Sequence, residues 1–223
     1  MPDLREQLQH CFRGRVCVMG LGNIDYGDDG FGVHLAESIA TRLAGSGTTS
    51  LGHHVINAGT TPERLIGSVK GKGYDHLLFL DAVEFGGEPG SVLLLNADET
   101  AARFPQISTH KMSIGLLARY IKTSEGTDVW LLGVQPGSLQ PSQGLSASVQ
   151  RTMELLDEIL CTIWISRNEA VETRMDQKND VLPNPSYPRK QVSSSFLKTI
   201  NPLESRLHGN DDMTMLSKRL PQR

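Results

Sequence analysis

Three observations predict a doubly wound α/β fold for residues 14–166, a mostly parallel twisted sheet flanked by helices in three layers. Short apolar runs alternate with segments of helical periodicity, the pattern of strands linked by right-handed crossovers. The run HLLFLDAV (76–83) is apolar almost throughout, as expected of a central parallel strand covered on both faces. The first strand ends in glycines and leads straight into a helix, which is how a strand–loop–helix unit begins.

In order, RVCVMGLG (15–22) reads as a buried strand. Phe31, Val33, Leu35, Ile39 and Leu43 form the apolar stripe of a helix that stops at Gly45. HHVINAG (53–59) is a second strand, and TPERLIGSVKG opens a helix with a threonine cap, a first-turn Pro and Glu63. After the strand at 76–83, GGEPG makes a turn, and SVLLLN (91–96) reads as an edge or hairpin strand. A Ser/Thr cap starts a helix over 108–122, with Met112, Leu116, Leu117 and Tyr120 at helical spacing. DVWLLGVQP (128–136) is another buried strand, and residues 146–166 form a long amphipathic helix carrying Val149, Met153, Leu156, Leu160 and Ile163. From 167 to 223 the composition shifts to mixed charge, a serine run and five of the eleven prolines. Such a segment buries too little apolar surface to offset its ordering entropy, so a disordered tail is expected.

A formal net charge of −3 provides no basic field for nucleic acid. No apolar run reaches the roughly 18 residues that span a bilayer, and the start lacks a secretory signal. A cytoplasmic protein is expected, with no membrane or nucleic-acid partner and its oligomeric state left open. Cys11, Cys17 and Cys161 are odd in number and form no CxxC pair, so they read as reduced thiols.

In open α/β sheets, ligands bind beyond the carboxyl ends of the strands. Those ends offer GLGNIDYGDDGFG (20–32), Asp81, His110 at a helix start, and GVQP (133–136). One histidine with two carboxylates suits nickel, zinc or another divalent ion and leaves coordination positions open. Asp28 and Asp29 are adjacent, so one of them is expected to reach the metal, while Asn23 orients the loop through its side-chain amide. Taken singly, each has a plainer explanation. Asp28 or Asp29 could cap the following helix, Asp81 could tie off its strand, and His110 could be a surface residue. Ser108, Ser113 and His76 sit in no nucleophile-elbow setting.

The ordered series GLGN, DDGFG, DAVEFGGEPG, STH and GVQP resembles the nickel–iron hydrogenase maturation endopeptidases over about residues 14–166. The resemblance implies a hydrolase, grouped with the aspartic peptidases, that removes the C-terminal extension of the hydrogenase large-subunit precursor after nickel insertion. It implies Asp29, Asp81 and His110 as nickel ligands and catalytic residues, Asp28 as the competing ligand or a base, and nickel supplied within the substrate. Three rival functions are a dinucleotide-binding enzyme built on GLGNID, a peptidyl-tRNA-hydrolase-like enzyme, and a nickel-checking chaperone that does not cut. The first faces Asp28 and Asp29 where a pyrophosphate would sit, and the second lacks a basic patch.

Overall fold

Along β1 (Val16–Leu21) and β3 (His76–Ala82) nearly every residue is buried, so neither strand can have a wet face. Val16, Val18, Leu78 and Leu80 belong to one core cluster, while Cys17, Met19, Leu77 and Phe79 belong to another. This is the period-two alternation of a strand packed on both sides. The computed structural model describes residues 3–45, 53–104, 113–142 and 144–180. It places β3 at the middle of a five-stranded sheet whose order is β2-β1-β3-β5-β4. Here β2 is His54–Gly59, β4 is Val92–Asn96 and β5 is Asp128–Val134.

Helices complete both outer layers. Against the first face lie α1 (Leu4–Cys11), α2 (Phe31–Gly45) and α6 (Ala147–Asp180), contributing Leu8, Phe31, Leu35, Ile39, Leu156 and Leu160. Against the second lie α4 (Ala97–Arg103) and α5 (Ile114–Glu125), with Ala97, Ile114, Leu117 and Ile121. The expected three-layer α/β architecture is therefore present, and every predicted strand has a counterpart. β4 is an edge strand, but it runs antiparallel to β5 and forms no hairpin with β3.

Several expectations need correction. The helix expected after β2 is only a 3-10 turn, Pro62–Leu65, followed by the single turn α3 (Ile66–Val69). Glycines at 67, 71 and 73 leave too few good helix formers to propagate it. The folded unit also passes both expected bounds. Before residue 14, α1 is capped by Asp3 and buries Leu8 and Cys11. Beyond 166, α6 continues to Asp180 because no Gly or Pro interrupts it before Pro183. The remainder of the expected tail, 181–223, lies outside the described residues, as does the expected helix start at 108.

From β1 the chain passes through α2 to β2 on one side, then returns to β3 on the other. The strand order thus reverses between β1 and β3, and the loops leaving their carboxyl ends diverge there. Glycines let α2 settle directly on that point. A Cβ at Gly32 would run into the carbonyl oxygens of Leu21 and Leu80, and one at Gly20 would meet the Gly32 carbonyl. Residues 27–30, just before α2, are consequently held over the reversal.

At the opposite end of the sheet, buried His53 accepts the Val16 N–H on Nδ1 at 2.9 Å. Burial, then the charges of His54 and Arg15, lower its pKa from the ordinary 6.5. Burial lowers that of His76 as well. A folded-state pKa below the unfolded one means stability is full above about pH 6.5 and is lost as pH falls through the folded value. The melting temperature should fall on acidification from pH 7 to about pH 5, and His53→Asn, which keeps an acceptor but cannot titrate, should reduce that slope.

Candidate active site

The two adjacent acids of the β1–α2 loop have different surroundings. Asp28 is fully buried and accepts four hydrogen bonds from one distant loop. Its Oδ2 receives Gly137 N–H at 2.7 Å, Ser138 N–H at 3.0 Å and Ser146 Oγ–H at 2.8 Å, while its Oδ1 receives Ser146 N–H at 2.6 Å. All four donors are structural groups of the chain, three of them on Oδ2 and one on Oδ1. Asp28, expected as a possible base or the competing ligand, is here the clamp between the loop at 27–30 and the loop at 137–146.

Asp29 faces a cavity of about 190 Å³ lined with Asn23, Tyr26, Thr60 and Leu139. Its Oδ2 accepts the Asn23 N–H at 2.8 Å. Asn23 therefore positions the acid through its backbone, and its side-chain carbonyl accepts the Asp25 N–H at 3.0 Å, orienting the loop as expected. Gly22 allows the close approach. Its φ is +119°, and a Cβ there would collide with the Asp29 carbonyl oxygen.

Asp81 lies in β3 one residue from its carboxyl end and is 94% buried, its relative exposure being 6%. Its pKa stands well above the usual carboxylate range. Burial is the main cause and the neighbouring charge of Asp29 the second, partly offset by the Ala82 N–H. Two carboxylates that feel one another in a dry site disfavour double ionisation, and a cation between them would reverse that cost. The donor set is thus suited to a divalent ion. Among the described residues no three His, Cys, Asp or Glu side chains are placed to share a metal. The third expected ligand, His110, lies outside the described residues, as does Ser108.

Other nucleophile candidates fall away. Ser113 donates its hydroxyl to the Phe104 carbonyl at 3.2 Å, and His76 begins β3, at the opposite end from Asp81. Burial pushes the thiols of Cys11, Cys17 and Cys161 up to about 12, and none of the three is in a disulfide.

Gln135 has a role that sequence reasoning did not assign. Its side-chain oxygen accepts three consecutive backbone N–H groups, Phe85 at 2.9 Å, Gly86 at 3.0 Å and Gly87 at 3.2 Å. This fixes the loop that follows Asp81. The signal was present in GVQP: a glutamine inside an apolar strand end is costly to bury unless it has specific partners.

The hydrogenase maturation protease family profile matches residues 33–163. The hydrogenase 2 maturation protease of Escherichia coli is 30% identical over 162 residues, covering 70% of this chain and 95% of that protein. The hydrogenase 3 maturation protease of the same organism is 34% identical over 119 residues, covering 53% and 71%. Among solved structures, the [NiFe] hydrogenase maturation protease HycI from Thermococcus kodakarensis superposes with a TM-score of 0.62 at 31% identity, covering 71% of this chain and 98% of its own. The E. coli maturating endopeptidase HybD gives 0.55 at 26%, covering 70% and 94%.

The two clamps should be separable by amide hydrogen exchange. Asp28→Ala should speed exchange at Gly137, Ser138 and Ser146, and Gln135→Leu should do so at Phe85, Gly86 and Gly87. Gln135→Glu, which keeps the acceptor, should retain protection.

Proposed function

Because the chain belongs to the hydrogenase maturation protease family, we propose that it is the endopeptidase that removes the C-terminal extension of a nickel–iron hydrogenase large-subunit precursor once nickel is in place. A buried carboxylate pair at the point where the strand order reverses, one member facing an open cavity, carries this assignment. Nickel arrives as part of the substrate, and Asp29, Asp81 and His110 are the residues that hold it. The ion supplies Lewis-acid polarisation at the scissile bond.

The rest falls to the chain's own groups. The Asn23 N–H fixes the direction of Asp29, and the two clamps hold the loops on either side. Burial and the charge of Asp29 raise the pKa of Asp81; a divalent ion held by the two acids would favour its carboxylate and lower that pKa. A pair in which one acid raises the other also fits the grouping with aspartic-type peptidases. No helix of the described residues is long and apolar enough to cross a membrane, and we place the reaction in the cytoplasm, where the thiols stay reduced.

Purified precursor with and without nickel, incubated with the enzyme and read by mass spectrometry, tests substrate, metal and reaction together. Trimming should require nickel, and Asp29→Ala, Asp81→Ala and His110→Ala should each abolish it while remaining folded. Normal processing by all three variants would falsify the site. Nickel-dependent binding without any cut would point to the checking chaperone.

Asp81 also makes a stability prediction. Its folded-state pKa exceeds the unfolded value, so its contribution is full below the ordinary 3.8 and is lost as pH rises through the folded value. At neutral pH the acid is a net cost to the metal-free protein. Asp81→Asn should therefore raise the melting temperature at pH 7 while eliminating cleavage; a lower melting temperature would contradict the electrostatic account.

A further inference from the structure

The loop carrying Asp29 also holds two large apolar side chains in the open, Ile24 at 47% and Tyr26 at 46% exposure. Scattered surface apolar residues need no explanation. These two differ because the backbone around them is pinned. The Tyr26 N–H donates to the Asn23 carbonyl at 3.1 Å, and the Tyr26 carbonyl accepts the Asp29 N–H at 3.2 Å. On either side, the Gly27 N–H donates to the Ser142 carbonyl and the Ser142 N–H to the Asp25 carbonyl, both at 3.0 Å, giving a parallel bridge between Tyr26 and Ser142. With its backbone so engaged, the loop holds the Cα of Tyr26 in a fixed place at the mouth of the site.

That place is the cavity beside Asp29. Tyr26 and Leu139 give its wall an apolar side, and Asn23, Thr60 and Asp29 a polar one. Leu139 follows Ser138, which donates to Asp28, so both apolar residues hang from the same clamped pair of loops. An aromatic on a pinned backbone at a concave site has only its two side-chain torsions left to order when covered, a favourable condition for a binding hot spot.

We propose that Tyr26 and Leu139 form an apolar subsite for one large apolar side chain of the precursor, from a residue immediately beside the scissile bond. This rests on the peptidase assignment, because Asp29 lines the same cavity and therefore brings the backbone of whatever fills it to the carboxylate pair.

The test uses the full chain, the nickel-loaded precursor and precursor variants in which each residue flanking the cut, located by mass spectrometry, is changed to Asp. Tyr26→Ser and Leu139→Ser should each raise KM by about tenfold, with kcat held and melting temperatures unchanged, while Tyr26→Phe should match the parent enzyme. The parent should reject Asp at one flanking position, and Tyr26→Ser should lose most of that discrimination. An unchanged KM in both serine variants overturns the subsite. So does Tyr26→Phe as damaging as Tyr26→Ser, since the hydroxyl and not the ring would then be recognised. Calorimetric titration of the precursor onto the same variants reads the subsite even if the parent enzyme proves unable to cut; failure of cleavage is thereby distinguished from failure of the subsite.

Discussion

Four hydrogen bonds converge on the Asp28 carboxylate from a loop that follows it by more than a hundred residues, and the geometry of the site depends on them. A buried carboxylate is tolerated only if its lone pairs are filled. Filling them here requires the loops after β1 and β5 to meet. Once they do, Gly27 and Ser142 can pair, Asp29 is turned toward the cavity and Leu139 takes its place on the wall. Gln135 performs the matching task for the loop after β3. Two polar side chains thus tie three loops into one rim, although neither faces the cavity itself.

Much of the scaffold was legible because it follows from burial alone. A strand wet on neither face must read as a continuous apolar run, and β1, β3 and β5 do. What the apolar pattern does not reveal is secured by local polar chemistry. α4 rests on a capping box in which the Asn96 side chain accepts from Glu99 N–H and the Glu99 side chain accepts from Asn96 N–H; N-A-D-E was there to be read, but it follows a strand without a break. α1 leaves only a weak pattern because its apolar positions are few, even though Leu8 and Cys11 are completely buried.

The division of labour between Asp28 and Asp29 was beyond the sequence for a geometric reason. In the 3-10 turn Gly27–Gly30 successive side chains diverge by a third of a turn. One acid therefore enters the clamp and its neighbour the cavity, but which one does so depends on where the loop at 137–146 lies. Kinship places the chain among the hydrogenase maturation proteases, whereas the raised pKa of Asp81 comes from burial and from the neighbouring Asp29.

The long reach of the Asp28 clamp has a consequence for biosynthesis. Ser146 follows Asp28 by 118 residues, so at about 5–20 residues per second the ribosome needs on the order of ten seconds to deliver the last donor. Throughout that interval the nascent chain contains the acidic turn but lacks the partners that orient it. The rim is consequently a late event in folding, assembled only when the segment entering α6 has emerged. A truncated or stalled chain would carry both acids and still have no ordered site.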